Sequence, residues 1–521
     1  MQATGHRLRH FQSMLLAVCM LLVLAIAVES IPSGASVSAK SSLPNYIEEY
    51  QVPTANSAPL AIAVDLNGNV WFTESNASKL AKFNPVDKSF VEYKVPWVGD
   101  LWGIITDPQG HVWFTQYSGK GNVSPGGAIV GGGNGRIIRF DMPTKNFTSI
   151  PIPTNGSFPM RLALDQRGRI WFTEFLGNKI GLYDPASNHL QEYSVPTNSS
   201  GPADLAFDSH GSLWFTESFA QQLGRIDSQS MSMTEYHLGT QTASQIVSSP
   251  VGVAIDKRGN VWVADHGGNW IVDFNSQTQA IVKYPTHYPP KDVYPISIVN
   301  DVLADSNGRI WFAEHGGNSI GYYEPETRSM VEFPIPTGPI SSTLWLALAP
   351  NGDVWFAEWS GNNIGVVHAD HLVPLSIITQ TSSLILTQGQ QVAVPVQIKT
   401  LQDLQGNGTM LYAWGSYNQK DVSGTFSPQY PILADPTETS TQLQFGISTT
   451  IQPGNYTLAV GIETQSVRVL SMISVEVLSS SKSNTVPFLN IAVLGGLVLL
   501  AAAALIVVRR RRSHREHANL S

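Results

Sequence analysis

Cysteine is almost missing from this chain: Cys19 is the only one among 521 residues, and it lies in an apolar N-terminal run. A body without thiols carries no disulfides, no cysteine-ligated zinc or iron–sulfur cluster and no thiol nucleophile. Charge is scarce as well, at 13% of residues, and positive charge is the scarcer kind, 31 Lys and Arg against 39 Asp and Glu for a net charge of −8. There is no basic excess to neutralise a phosphate backbone, which argues against nucleic acid as a partner. Disorder is excluded from the other side, because 42% of residues are hydrophobic and a chain so apolar and so weakly charged buries a large core. What is abundant is Gly (44), Pro (32) and Trp (13), a composition of many turns between strands. The length allows two or three domains, one of which can be a large all-β unit.

The two ends read as export and anchoring signals. Residues 1–39 combine Arg7 and Arg9, an apolar stretch from Met14 to Val28 and a small-residue exit at Val37-Ser38-Ala39, the layout of a secretory signal peptide. Phe488 to Val508 is an apolar run followed at once by Arg509, Arg510, Arg511 and Arg512, which predicts a membrane span with its C-terminus inside. Residues 479–487 form a Ser-rich linker and 509–521 a basic cytoplasmic tail. The expected location is the plasma membrane, single-pass, with the bulk of the chain outside. The exported part holds 24 basic and 37 acidic residues, so the outer surface is acidic. Sequons at Asn76, Asn122, Asn146, Asn155, Asn198, Asn407 and Asn455 are glycan acceptors where the host glycosylates them.

Between the ends the sequence repeats. Trp recurs at Trp71, Trp113, Trp171, Trp214, Trp262, Trp311 and Trp355, which define repeats one to seven. Gly stands three before each Trp, Asp six before in the first six copies and Ala349 in the last; three after comes Glu74, Gln116, Glu174, Glu217, Asp265, Glu314 or Glu358. Asp-x-x-Gly is a hairpin turn, the carboxylate bonding the backbone ahead and Gly taking positive φ. Adding a third strand (Lys179–Tyr183) and a fourth of the form Glu-Tyr-x-Val-Pro gives four strands per repeat, and the pattern predicts a seven-bladed β-propeller over 44–372. One fourth strand, Tyr46–Pro53, precedes the first Trp and none follows the last, so the N-terminal strand is expected beside Ile364–His368, closing the ring. Alternating Val, Ile and Thr over 375–478 predict a small Ig-like β-sandwich. The fold class is all-β.

The loops between strands two and three, and the linkers between repeats, open on one propeller face. They are also where the sequence is irregular. Repeat two carries a Gly-rich insertion from Tyr117 to Gly135, and the linker into repeat six contains Tyr288 and Tyr294. After the recurrent acid come Ser75, Tyr117, Phe175, Ser218, His266, His315 and Trp359. Two imidazoles and two carboxylates in adjacent repeats suit a divalent metal or shared acid/base work, while the alternative for the recurrent acids is bonding to the adjoining blade. Trp97, Trp102, Trp270, Trp345 and Trp359 suit an aromatic rim for sugars or macrocycles.

The motif Gly168, Ile170-Trp171-Phe172-Thr173-Glu174, Asn178, Ile180-Gly181, Glu192-Tyr193 resembles the repeat of the streptogramin B (virginiamycin B) lyases, over about Tyr46 to His371. The resemblance implies ring opening of a cyclic depsipeptide by elimination, with magnesium, a catalytic His eleven before the last Trp and an acid after that Trp. In this chain the first position is Leu344, Asn300 stands where a second family His would be, and Glu358 supplies the acid. The general base is therefore replaced. One reading is a membrane-tethered extracellular recognition module for a glycan, peptide or macrocycle, with His266, Trp359, Tyr117, Tyr288 and Tyr294 at the ligand. The other is a metal-dependent lyase or related hydrolase of a cyclic ester or lactone, with Glu358 and His315 catalytic and Glu314 and Glu358 on Mg2+.

Overall fold

A computed structural model describes residues 45–118, 122–123, 129–130, 133–238, 247–288, 296–401, 404, 407–416, 418–433 and 438–480. The chain divides into two units, Met1–Leu478 and Ser479–Ser521, and every described strand belongs to the first. The expected signal peptide and the span over 488–508 lie outside the described residues. No helix among the described residues is long and apolar enough to cross a membrane.

Each Trp repeat folds as four antiparallel strands, and the first strands of neighbouring repeats pack on one another in a ring. In repeat one these strands are Pro59–Val64, Val70–Glu74, Lys79–Asn84 and Ser89–Lys94. The turn chemistry is as the residues dictate. Asp65 Oδ1 accepts from the backbone N–H of Asn67 and Asn69, each at 2.9 Å. Its Oδ2 accepts from Trp71 Nε1 at 2.9 Å, a bond not evident from the spacing alone. The same Asp–indole bond recurs at Asp107–Trp113, Asp165–Trp171, Asp208–Trp214, Asp256–Trp262 and Asp305–Trp311. Gly68 has φ +78° with nothing within 4 Å of where a Cβ would stand, so conformation rather than space demands glycine. At Gly181 the demand is space: a Cβ there would lie 1.9 Å from the Phe172 ring, its cross-strand partner.

The ring closes as the strand order requires. Ile47–Gln51 pairs antiparallel with Asn363–Val367 as the fourth strand of the sheet whose other members are Val354–Glu358 and Thr343–Leu348. Asn362 Nδ2 secures the join by donating to the carbonyls of Val52 and Thr54.

The C-terminal region is a pair of sheets over a shared core of Val394, Leu443, Phe445, Leu458, Val460 and Ile473. One sheet runs Leu375–Thr379, Gln391–Thr400, Glu438–Ile447, Val422–Ser427. The other does not end at the sandwich. Its long strand Arg468–Leu478 pairs with Gly454–Glu463 on one side and with Ser329–Pro334, the fourth strand of repeat six, on the other. An eight-stranded sheet thus runs through propeller and sandwich, a continuity invisible in the order of strands along the chain.

Candidate ligand-binding face

Two successive positions lie near the start of every first strand, where the first strands of neighbouring repeats pack on one another. The residues eleven before each Trp are Leu60, Trp102, Met160, Ala203, Val251, Asn300 and Leu344, an apolar set with one amide. Asn300 Nδ2 donates to the Leu344 carbonyl at 2.8 Å. Trp102 and Leu344 are half-buried, and Trp102 meets Phe158 and Trp345 edge-on at 4.8 and 5.8 Å between centroids.

The next residues, ten before each Trp, are Ala61, Gly103, Arg161, Asp204, Gly252, Asp301 and Trp345. Arg161 Nε donates to Asp204 at 2.8 Å, and Nη2 stands 3.5 Å from Asp301. The guanidinium also lies over the Trp345 ring at 5.4 Å. Repeats three, four, six and seven are tied across the axis by this rung. Burial pushes the Asp301 carboxyl up and Asp204 adds to it, while Arg161 opposes both. Small residues make room: a Cβ on Gly103 would stand 2.3 Å from the Met160 carbonyl oxygen. Beyond the rung is a cavity of about 230 Å³ lined by Ile62, Ile104, Leu162 and Leu346 among others. The rung was missed in the sequence because its members sit in different repeats; tabulating the position ten before each Trp would have found it.

The recurrent acids are fully buried. Each that is a glutamate is pushed up, first by burial and then by a glutamate on its own fourth strand: Glu74 to about 7 beside Glu92, Glu174 to about 8 beside Glu192, Glu217 to about 7 beside Glu235, and Glu358 to about 9 beside Glu49. Glu314 is raised well above its ordinary value, by burial and then Glu332. Asp265 bonds the segment that leads into its repeat, accepting from the backbone N–H of Ser249 at 2.8 Å, and the fourth-strand carboxylates do the same, as where Glu92 accepts from Thr54 at 2.7 Å and Glu192 from Thr154 at 3.0 Å. Magnesium asks for ionised oxygen ligands around an octahedron. Glu314 and Glu358 are buried, each with its carboxyl pushed up by burial and by a second glutamate, and no group of three or more His, Cys, Asp or Glu that could hold a metal occurs among the described residues. The residues present do not fit that ion.

His266 and His315 do come together, with ring centroids 6.3 Å apart. Burial holds His266 down at about 4 and His315 at about 3, His266 adding to the latter, so both are neutral at pH 7. Trp359 is half-buried and packs, with Leu344 and Trp97, against the cluster containing Leu60, Phe158 and Trp345. Tyr117, expected in an open loop, instead ends the strand His111–Tyr117, is 2% exposed and packs edge-on to Phe158 at 5.0 Å. Trp270 is likewise no rim residue, being buried and donating to Asp265. Tyr288 is engaged elsewhere: its hydroxyl donates to the Trp414 carbonyl of the sandwich at 3.0 Å. Tyr294 lies outside the described residues, as does the Asn122 side chain; the other six sequon asparagines are exposed.

Residues 134–384 match the model of the virginiamycin B lyase family. No curated protein matches. Among solved structures a streptogramin B lyase is 26% identical, covering 62% of this chain and 96% of its own, with a TM-score of 0.52. The virginiamycin B lyase of Staphylococcus aureus is 25% identical, covering 61% and 98%, with a TM-score of 0.52. A catalytically inactive variant of the Staphylococcus aureus enzyme with quinupristin is 24% identical at a TM-score of 0.51 and speaks to the fold alone. The propeller of this chain is a virginiamycin B lyase-like β-propeller.

Proposed function

We propose that this chain is an exported, membrane-anchored recognition protein: a seven-bladed lyase-type propeller with an Ig-like sandwich, converted from ring opening to ligand binding. The observation that carries the reading is at the start of the first strand of repeat seven. Leu344 stands where the lyase resemblance calls for the general base, and its carbonyl is bonded to Asn300 at 2.8 Å. A leucine moves no proton. The half-buried apolar patch it forms with Trp102 and Trp359 suits the apolar face of a macrocycle, peptide or glycan. Glu358 and His315, which the lyase reading needs as acid and base, are 0% and 5% exposed, out of reach of a substrate.

The test is equilibrium binding of the full chain, followed by tryptophan fluorescence, to a panel of macrocycles (quinupristin first), peptides and glycans, alongside an assay for ring opening with magnesium present. Saturable binding without ring opening, weakened in Trp359→Ala, is expected. Turnover by the unmodified chain, or failure to bind any member of the panel, overturns the reading.

A further inference from the structure

A second cavity, which shares no lining residue with the first, lies at the seam of propeller and sandwich. It has a volume of about 610 Å³ and is walled by repeat six, by the strands Leu375–Thr379 and Arg468–Leu478 and by the connection from His368 to Val373. Ligand sites of 300–1,000 Å³ occur preferentially where domains meet, but volume at a seam is not itself a site. The lining chemistry is what points further.

The surface that a ligand can reach is apolar, with Leu372 and Ile378 exposed and Val373 half-buried, while Trp311, Phe333 and Met472 are themselves buried. Two guanidinium groups stand on it. Arg309 lies over the Tyr322 ring at 4.6 Å and 3.7 Å from Glu324. Arg328 is held by neutral oxygens, donating to Ser474 Oγ at 2.7 Å and to the Ser382 carbonyl at 3.3 Å. No ion pair joins Arg328 to a carboxylate among the described residues. The remaining charged groups do not neutralise it: His368 is turned toward Asp353 and Glu48, at 3.4 and 3.8 Å, and Asp370 is exposed at the rim. The sequons, the patch around Leu344 and the rung at Arg161 make no use of this cleft.

We propose that the cleft between propeller and sandwich binds an amphipathic organic anion, its apolar body against Leu372, Val373 and Ile378 and its carboxylate or sulfonate on Arg328. A half-buried arginine with no carboxylate partner among the described residues is where an anionic oxygen gains most, because charge-assisted hydrogen bonds are the strong ones. The site does not depend on what the patch around Leu344 binds.

The test uses the full chain and three probes of one shape: 1-naphthoate, naphthalene-1-sulfonate and 1-naphthylmethylamine, titrated calorimetrically. Both anions are expected to bind at one site per chain and the amine to bind at least tenfold more weakly. Arg328→Gln should weaken the anions about tenfold, and Arg328→Lys less. Ser376→Trp, which fills the cleft from an exposed position on its wall, should abolish binding while leaving Tm unchanged. Binding of neither anion, binding that survives Ser376→Trp, or equal binding of the amine overturns the proposal.

Discussion

Arg468, carried by the sandwich, donates through Nη1 to Ser319 Oγ at 2.9 Å inside repeat six of the propeller. Ser319 occupies the third-strand position that Lys79 holds in repeat one and Lys179 in repeat three. Those lysines pair with their own fourth-strand glutamates, Glu92 at 2.6 Å and Glu192 at 2.8 Å. In repeat six Arg468 brings the missing cation from outside, to within 3.7 Å of Glu332, with Glu463 at 2.6 Å on its other side. The sandwich thereby completes a repeat that lacks a cation of its own.

Arg468→Met should therefore destabilise the chain by roughly 3 kcal/mol, the scale for removing one partner of a buried pair. Adding Glu332→Gln should restore part of that loss, since the carboxylate left behind is the costly group. Urea unfolding of the two variants and the double variant measures the coupling; additivity of the two effects would refute the pairing.

A second expectation concerns pH. Glu358 titrates in the fold at about 9, raised by burial and then by Glu49, whereas in the unfolded chain it titrates near 4.3, the ordinary value of a glutamate. The folded state keeps a proton that the unfolded state gives up. Its contribution is complete below about pH 4 and is lost as pH rises toward 9, by up to about 1.4 kcal/mol per unit. Glu358→Gln should then gain on the native chain as pH rises from 5 to 8.5 in thermal melts. His315, held at about 3 by burial and then by His266, acts with the opposite sign, its contribution being lost as pH falls from about 6.5.

Repeat seven offers a gain. Ala349 sits where six other turns have the aspartate that accepts from the Trp indole, and Ala349→Asp supplies that acceptor to Trp355. A net hydrogen bond contributes about 1 kcal/mol, so Tm should rise by a degree or two for a chain of this size. A lower Tm would mean that the turn of repeat seven cannot take the shape of the others.

Closure makes the fourth prediction. Deleting residues 46–53 removes the strand paired with Asn363–Val367 and exposes a sheet edge. The deleted chain should aggregate in size-exclusion chromatography; a monomer with unchanged Tm would refute the role assigned to that strand.

The repeat and its turns were readable in the sequence because their determinants lie within a few residues of each other: Asp65, Gly68 and Trp71 are one local device repeated. The closing strand was readable by counting. What sequence order hid is contact between distant segments. Arg161 finds Asp204 and Asp301 only once the first strands are bent into a ring, and Tyr288 reaches Trp414 only once the sandwich has docked. The state of the recurrent acids was hidden for a different reason. A glutamate after a Trp looks the same whether it faces water or Glu49, and only burial decides whether it carries a proton.

The join between Val52 and Asn362 spans 310 positions of chain, and that separation sets an order of events in synthesis. The strand at Ile47–Gln51 is made first, yet its partner is the last strand of the propeller to be made. At roughly 5–20 residues per second, the first strand waits about 15–60 s for it. Throughout that interval the nascent sheets have an open edge at each end of the row, and a second unfinished chain could fill either. Folding of this protein is therefore a race between its own C-terminal repeats and its neighbours, and crowding of nascent chains should lower its yield more steeply than that of a protein whose first strand pairs early.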